Sequence, residues 1–472
     1  MAVVIRSARS DSKSYGGAAG ATKGHEDATR PSQHGETRGA VSYVPADLIE
    51  VSAWGRLVGA VLFDQSTRVY AFEYDDQWVK TGADLAPLHM AKSQGVFEFP
   101  ELSRQTYYAL PAMLADSLPD SFGNALVTAW LAERGIDPSQ ITALDRLAYA
   151  SDRAMGALTF APPIGPSREV SLVQVADLVT AAREIIRGTL DVDGAHDAIA
   201  QLITVGSSAG GARAKAVIAY NPATGQMRSG QLDAPEGFEQ WILKFDGVGD
   251  PTVHPNDSFI ASQQYCRVEY AYYLMATRAG IEMSESLLLP EGPRAHFMTR
   301  RFDRGPGNER RHTQTLCALA HLDYNMARSH AYSSYFLTAA ALGLGPDERH
   351  QMFRRVVFNV MGVNRDDHTK NFSFLLPERG EWQLAPAYDV THAYWDAEWA
   401  QQHQMSVNGH FTDITLDDLR ELGDLHEVPD IERVVREVSE AVGEWPDYAD
   451  VAGVDASSAA SIAQDMATFR PR

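Results

Sequence analysis

The chain is poor in cysteine and in long apolar runs. Its 472 residues include only two cysteines, Cys266 and Cys317. Both fall in helix-like segments, so the sequence predicts a reducing compartment and no disulfide framework. No apolar run reaches the roughly 18 residues that a membrane span requires, and residues 1–6 are not followed by the apolar stretch of a secretory signal. We therefore expect a cytoplasmic protein with no membrane partner.

Positive charge is also scarce. Lysine and arginine together number 41 against 62 aspartates and glutamates, which gives a formal net charge of −21. Such a chain is poorly suited to coat the phosphate backbone of a nucleic acid by itself, although a basic partner could bring it into a nucleoprotein complex. What is present is ordinary for a globular protein, with 44% hydrophobic and 22% charged residues. The length allows two or three domains with sizeable cores.

The composition changes along the chain and divides it into four parts. The first part has almost no large apolar residue after Ile5, so it cannot offset the entropy cost of becoming ordered. The second mixes strand and helix signals, the third follows a proline-rich linker, and the fourth has mostly helical periodicity. We predict a disordered tail (1–42), an N-terminal α+β subdomain (43–162), a region with a glycine-rich loop and a nucleotide-binding lysine (163–255), and a mostly helical lobe (256–472).

Secondary structure can be predicted segment by segment from the spacing of apolar residues. A hairpin around Gly55-Arg56 begins the second part. The acidic turn at 116–120 is interpreted as structural, because nothing in this part resembles a catalytic group. The predicted strands are 49–54, 57–63, 69–74, 156–160, 216–220 and 240–245, with helices through Leu126 and Leu147 and at 171–204, 264–279, 313–362 and 418–469.

The most informative stretch is the polar loop at 364–371. An apolar, helix-like run leads into it and a strand-like run follows it, and a second strand-like run then brings Asp389. From this stretch alone, Asp366, Asp367 and His368 could be capping groups of a surface loop or part of a metal-hydrolase site. The loop nevertheless concentrates a carboxylate, a lysine and an amide between apolar walls.

Phosphoryl transfer requires the groups that this loop offers. An aspartate, here Asp366, orients the attacking hydroxyl and accepts its proton, and a lysine, here Lys370, neutralises charge on the γ-phosphate. Asn371 and Asp389 supply oxygen ligands for Mg²⁺. The order Asp-x4-Asn followed by a later Asp is that of kinases. The match is incomplete, because Asn-Arg-Asp and Asp-Val-Thr replace His-Arg-Asp and Asp-Phe-Gly.

Two upstream features favour kinase chemistry. A glycine-rich loop at 206–215 can let backbone N–H groups approach phosphates, and it runs into a strand rather than the helix of a Walker A loop. A plain turn is the commoner meaning of such a loop. Lys244 interrupts an apolar strand and needs a partner, which Glu269 can supply from the edge of a helix. Kinases fix their nucleotide lysine through such a pair, although a surface lysine and a solvated glutamate remain the alternative.

Taken together, these residues resemble the HipA family, the serine/threonine protein kinases that act as toxins of bacterial type II toxin–antitoxin modules. The resemblance covers roughly residues 48–440. It implies a protein-kinase-like, two-lobed α+β fold with an N-terminal α+β subdomain and a mostly helical C-terminal lobe. The segments that carry it are Ser208-Ala209-Gly210-Gly211-Ala212-Arg213-Ala214-Lys215, Ile242-Leu243-Lys244, Arg301-Phe302-Asp303-Arg304, the loop 366–373 and Tyr388-Asp389.

The resemblance also implies roles for single residues, with ATP and Mg²⁺ as cofactors. Asp366 is expected to be the catalytic base, assisted by Lys370, and Asn371 and Asp389 the Mg²⁺ ligands. Ser208 resembles the family's autophosphorylated serine, whose modification ejects the loop and silences the enzyme, and the adjacent Ser207 is the alternative. The expected nucleotide contacts are Ser208, Gly210, Gly211, Ala212, Arg213, Lys215, Lys244, Glu269 and His368.

The same resemblance implies partners. The expected substrate is a protein of the translation machinery, an aminoacyl-tRNA synthetase by family analogy, and the expected partner is a small helix-turn-helix antitoxin of HipB type. DNA contact would be indirect, through that antitoxin, because this chain is acidic. The alternatives are a small-molecule phosphotransferase, a catalytically silent co-repressor that acts with the antitoxin, and, more distantly, a metal-dependent hydrolase.

Overall fold

In the residues that it describes, the computed structural model shows two five-stranded antiparallel sheets and a helical lobe that contains two smaller sheets. The predicted disordered tail, both helices predicted at 171–204 apart from Leu178, and the glycine-rich loop through Arg213 lie outside the residues that it describes. Both cysteines are buried and no disulfide joins them, and no helix in the described part is long and apolar enough to cross a membrane. The described residues are 46–132, 134–165, 178, 214–230, 233–246, 264–393, 401–467 and 469.

The first sheet has five strands in the order β4-β3-β2-β1-β5. Its first hairpin turns at Trp54 and Gly55 rather than at Gly55-Arg56, because Arg56 already pairs with Ala53. Both turn residues have positive φ, 50° and 72°, as a two-residue turn between twisted strands requires. The other strands and helices predicted here are confirmed. They are β1 Leu48–Ala53, β2 Arg56–Asp64, β3 Val69–Tyr74, β4 Val96–Phe97 and β5 Leu158–Ala161, with helices α1 Asp76–Thr81, α2 Arg104–Tyr107, α3 Ala112–Ala115, α4 Ser121–Ala132 and α5 Ala143–Ala150.

The second sheet also has five antiparallel strands, in the order β7-β6-β8-β10-β9. Its strands come from both sides of residue 255, where the sequence predicts the boundary of the helical lobe. One helix packs against β10 and β9. The strands predicted at 216–220 and 240–245 and the helix predicted at 264–279 are confirmed. Their bounds are β6 Lys215–Tyr220, β7 Met227–Ser229, β8 Glu239–Lys244, β9 Ser286–Glu291 and β10 Arg294–Arg300, with α6 Tyr265–Arg278.

The remaining chain forms the helical lobe around one large apolar core. The apolar run before the polar loop is the last part of α9 and is buried throughout. The helices predicted at 418–469 are confirmed. The elements are α7 Leu316–Leu319, α8 Tyr332–Ala341, α9 Pro346–Met361, α10 Leu416–Leu425, α11 Ile431–Gly443, α12 Trp445–Ala452 and α13 Ala456–Met466, with short strands β11 His312–Thr315, β12 His330–Ala331, β13 Ser373–Leu376, β14 Gln383–Leu384 and β15 Met405–Ser406.

Two predictions for this lobe are wrong in part. Residues 313–315 belong to β11, which pairs with β13, and residues 320–331 are not helical. Buried and half-buried residues alternate along β11, and its threonines favour a strand. The strand expected to carry Asp389 ends at Leu384, because Pro386 cannot donate to a ladder. Asp389 instead lies in an irregular segment with φ of 52°.

The motif Arg301-Phe302-Asp303-Arg304 joins the first sheet to the second. Asp303 is fully buried and accepts hydrogen bonds at 2.7 Å from Arg301 and 2.6 Å from Arg304. It also accepts from the backbone N–H of Gly156 at 2.7 Å, and Arg304 donates to the Gly156 carbonyl at 3.0 Å. Burial alone would raise the pKa of Asp303, but the two guanidinium groups outweigh it and lower that pKa. The motif is therefore a structural clamp between the two sheets.

Candidate active site

Two lysines lie side by side on the second sheet. Lys215 on β6 and Lys244 on β8 are register partners on adjacent antiparallel strands, so their side chains leave the same face. Like charges in directly opposed positions repel each other, and both side chains are largely buried. Each ammonium therefore needs a carboxylate of its own.

Lys244 has two carboxylate partners. Its Nζ lies 2.5 Å from Oε1 of Glu269 on α6, and it also contacts Oδ1 of Asp389. Burial alone would lower the pKa of Lys244, but the carboxylates of Asp389 and Glu269 outweigh it and raise that pKa. The predicted pairing of the strand lysine with the helix glutamate is thus present, and Asp389 joins it from the other lobe.

The partner of Lys215 lies in the turn between α3 and α4, and not on a strand of the second sheet or in the helical lobe. Oδ2 of Asp120, at the start of α4, lies 3.2 Å from Nζ of Lys215, and the two side chains are only 2% and 5% exposed. Oδ1 of Asp120 accepts the N–H of Gly123 at 2.7 Å. Burial raises the pKa of Asp120 to about 6, against the effect of Lys215, and the charge of Asp389 adds to the rise. The sequence interpretation of the turn 116–120 as structural did not predict this contact with Lys215, a residue expected to bind the nucleotide.

The polar loop alternates between half-exposed and buried side chains. Asp366, His368 and Lys370 are half-exposed, whereas Asp367 and Thr369 are buried. The hydroxyl of Thr369 donates to the Leu322 carbonyl at 2.8 Å. The loop thus presents every second side chain to the site and uses those between them to hold the backbone.

Asp367 is the main anchor of the loop. Its Oδ2 accepts the Tyr332 hydroxyl at 2.5 Å and lies 2.8 Å from Nδ1 of His403. Its Oδ1 accepts the backbone N–H of Gln404 at 2.6 Å. Neither Tyr332 nor His403 was predicted from the sequence. The side chain of Asp366, in contrast, is 40% exposed, so burial distinguishes two adjacent aspartates that the sequence leaves equivalent.

Asp366 and its neighbours form the accessible part of the loop. Nδ2 of Asn371 donates to the Asp366 carbonyl at 2.7 Å, which fixes the amide next to the predicted base. Nε2 of His368 lies 3.7 Å from Oδ1 of Asp366. Tyr324, which was not predicted from the sequence, lies beside His368 and Lys370. The centre of its ring is 5.3 Å from the centre of the His368 ring and 4.8 Å from Nζ of Lys370.

Tyr388 ties the segment that carries Asp389 to this loop. Its hydroxyl donates to the Lys370 carbonyl at 2.6 Å and lies 2.5 Å from Oγ of Ser373. Burial is the main cause of the raised pKa of Tyr388. Because this bond joins residues adjacent to Asn371 and Asp389, it brings the two predicted Mg²⁺ ligands onto neighbouring segments.

The donor chemistry of these residues suits Mg²⁺ and a nucleotide. A carboxylate from Asp389 and an amide oxygen from Asn371 are hard oxygen ligands, and Mg²⁺ completes such a set with phosphate oxygens and water. Within the described ranges, no group of three or more His, Cys, Asp or Glu side chains is placed to share a cation. Lys215 and Lys244 bring two positive charges to the same face of the second sheet. The remaining loop residues predicted to contact the nucleotide or to be phosphorylated lie outside the described residues: Ser207, Ser208, Gly210, Gly211, Ala212 and Arg213.

Two family models match this chain. Residues 207–467 match the HipA-like C-terminal domain and residues 49–161 match the HipA N-terminal domain. Among curated proteins, none matches the sequence.

Two solved structures are similar in part. One is described as the Shewanella oneidensis MR-1 toxin–antitoxin system HipA, HipB and its operator DNA complex. It aligns with a TM-score of 0.61 at 18% identity, over 89% of this chain and 95% of that chain, so the two share a fold. The other, the Helicobacter pylori proinflammatory kinase CtkA, aligns with a TM-score of 0.28 at 12% identity, over 48% of this chain and 91% of that one.

Proposed function

The chain belongs to the HipA family, and from this membership we propose that it is an ATP- and Mg²⁺-dependent serine/threonine protein kinase that acts as a toxin. The observation that carries the proposal is the buried contact of Lys244 with both Glu269 and Asp389. A strand lysine fixed by a helix glutamate, with a metal-binding aspartate beside it, is the arrangement by which kinases hold ATP phosphates.

Each polar group of the site has a proposed task. Mg²⁺, when bound, supplies positive charge to the phosphate oxygens, and Asn371 and Asp389 would hold it. Lys244 would bind the α- and β-phosphates, while His368 and Lys370 would contact the nucleotide from the loop. All of these groups are set on elements joined by hydrogen bonds, so they are positioned before the substrate arrives.

Asp366 is the proposed base. Its half-exposed carboxylate would accept the proton of a serine or threonine hydroxyl as that oxygen forms its bond to the γ-phosphorus and the bond to ADP breaks. Asp367 cannot take this role in the described arrangement, because it is buried and holds the loop through three hydrogen bonds.

We propose that Ser208, or the adjacent Ser207, is autophosphorylated and that this silences the enzyme. A phosphoserine adds about −1.5 to −2 charges next to the place where ATP phosphates would bind. Like-charge repulsion would then favour a loop conformation away from the nucleotide site.

The proposed partners follow from the family. The substrate would be a translation protein, an aminoacyl-tRNA synthetase by family analogy, and the chain would act in the cytoplasm. A small antitoxin of HipB type would bind it and connect it indirectly to DNA. The similar Shewanella oneidensis structure, a complex of HipA with HipB and operator DNA, supports this assembly.

Intact mass after incubation with Mg·ATP tests the proposal. The wild type, Asp366→Ala and Asp417→Ala would start from phosphatase-treated protein, with peptide mapping afterwards. Asp417 is the control, because its side chain lies on α10 and is 89% exposed. We expect one phosphate on Ser207 or Ser208 in the wild type and in Asp417→Ala, and none in Asp366→Ala.

A negative result has a defined meaning. A wild type that gains no phosphate and does not bind Mg·ATP in a titration would overturn the kinase proposal in favour of a silent co-repressor. Phosphate on a small metabolite but on no protein would favour the small-molecule phosphotransferase.

A further inference from the structure

The acidic turn at 116–120 touches both lobes of the candidate site, although it belongs to the unit built on the first sheet. Asp116 ends α3, where its N–H donates to the Ala112 carbonyl, and Asp120 precedes α4. The N–H groups of Ser117 and Leu118 donate to carbonyls of α3 at 3.1 Å. The turn is therefore a rigid connection between two helices.

On one side, the turn holds the second sheet. Asp120 is the partner of Lys215, at 3.2 Å and with both side chains buried. Lys215 in turn is the cross-strand neighbour of Lys244. Without Asp120, the buried ammonium of Lys215 would lack its carboxylate while it lies next to the ammonium of Lys244.

On the other side, the turn holds β11, which pairs with β13, the strand that follows the polar loop. The carboxylate of Asp116 accepts the N–H of Thr315 at 2.7 Å and its hydroxyl at 2.9 Å. Thr315 pairs with Ser373 on β13, and Oγ of Ser373 contacts the hydroxyl of Tyr388. Tyr388 precedes Asp389, so a continuous series of contacts runs from Asp116 to the segment of the predicted metal ligand.

We propose that the turn 116–120 is part of the nucleotide site, with Asp120 as the positioning residue that holds Lys215 toward the ATP phosphates and Asp116 as the group that sets the distance to the loop. This inference rests on the proposed kinase function. It gives the N-terminal unit a part in ATP binding through Lys215, because no other carboxylate is bonded to Lys215 among the described residues.

Asp120→Asn is the informative substitution. Asparagine keeps the acceptor for the Gly123 N–H, and hence the start of α4, but removes the charge that faces Lys215. We expect Mg·ATP binding to weaken about tenfold while the phosphorylation rate at saturating ATP changes less than about twofold, since a ground-state contact is lost and no transition-state contact is. A general loss of structure would lower both quantities.

Asp137→Asn is the matched control. Asp137 belongs to the same unit and also caps a helical turn, through the Ser139 N–H, but its contact with Ser139 lies at the exposed surface. We expect Mg·ATP binding of this variant to equal that of the wild type. Equal weakening in Asp137→Asn and Asp120→Asn would assign the effect to helix capping and overturn the inference.

The double variant Asp120→Asn/Lys215→Met provides a second test, which holds even if Asp120→Asn alone does not fold. If Asp120 acts through Lys215, the double variant binds Mg·ATP as Lys215→Met does. A further loss in the double variant would contradict the inference. If the wild type binds Mg·ATP and Asp120→Asn binds it equally well, this inference fails alone. If the wild type does not bind Mg·ATP, the kinase proposal fails and this inference with it.

Discussion

Lys215 and Lys244 lie buried on strands, each beside a carboxylate, whereas Asp366, His368 and Lys370 lie half-exposed on a loop. In the sheet half, the charges that would bind the nucleotide are also charges that the fold must satisfy. In the loop half, residues that face the site alternate with residues that hold the backbone in place. The site therefore has one half in which function and stability are inseparable and one in which they can be separated by single substitutions.

Lys244→Met gives the largest expected effect and tests the sheet half. Glu269 and Asp389 lose their shared cation, which costs about 3 kcal/mol of unfolding free energy, and phosphate incorporation falls about 100-fold or more because the phosphates lose their lysine. Urea denaturation and the phosphorylation assay measure the two effects. Lys80→Met, on the exposed side of α1, should change neither. If Lys244→Met lost activity but kept the unfolding free energy of the wild type, function and stability would be separable in the sheet half, contrary to the comparison.

Asp367→Asn tests the loop half. The amide leaves at least one of the buried donors from Tyr332, His403 and Gln404 poorly satisfied, which costs about 1–3 kcal/mol. Activity should fall roughly tenfold through misplacement of the loop. Asp366→Ala should instead abolish activity and change the unfolding free energy by less than about 0.5 kcal/mol. The reverse pattern in the two variants would identify Asp367 as the base.

His312 extends the comparison to a buried group that stays neutral. Burial lowers the pKa of His312 to about 4, and the Leu85 carbonyl, 3.0 Å from Nε2, opposes that shift only in part. Between pH 6.5 and 4, His312 binds a proton in the unfolded chain but not in the folded one. The free energy of unfolding is therefore unaffected by this group above pH 6.5. Below that pH it decreases as the pH falls, by at most about 1.4 kcal/mol per pH unit. His312→Asn should lose less stability than the wild type in urea titrations across that range. Parallel curves would show that His312 does not titrate this way.

Tyr324→Leu gives the smallest expected effect. The substitution removes the aromatic face beside Lys370 and His368 but keeps an apolar side chain. A cation–π contact at such a site is worth about 0.5–1 kcal/mol, so phosphate incorporation should fall about two- to fivefold with no change in melting temperature. Tyr324→Phe retains the ring and should behave as the wild type. Equal losses in both variants would point to the hydroxyl instead.

Residues that break a local pattern, such as a charged residue in an apolar strand, could be predicted from the sequence. Lys244 in an apolar strand and Glu269 on a helix edge were sufficient to predict their contact, and most strands and helices followed from apolar spacing. The contacts of Asp120 with Lys215 and of Asp367 with His403 could not be predicted, because no local pattern marks Asp120 or His403 as the partner of a buried group. The two adjacent aspartates at 366 and 367 could be ranked only by burial, which depends on packing around Tyr332.

The clamp at Asp303 also constrains how the protein is made. Gly156, which it holds, leaves the ribosome 147 residues before Asp303, a delay of roughly 7–30 seconds at about 5–20 residues per second. The core of the first sheet also includes Cys317 and Ala318, which emerge later still. The N-terminal unit therefore has an exposed flank during synthesis, and the candidate site cannot assemble until the chain has passed the polar loop and Asp389, which contacts Lys244. The proposed toxin would therefore be inactive for most of its own translation.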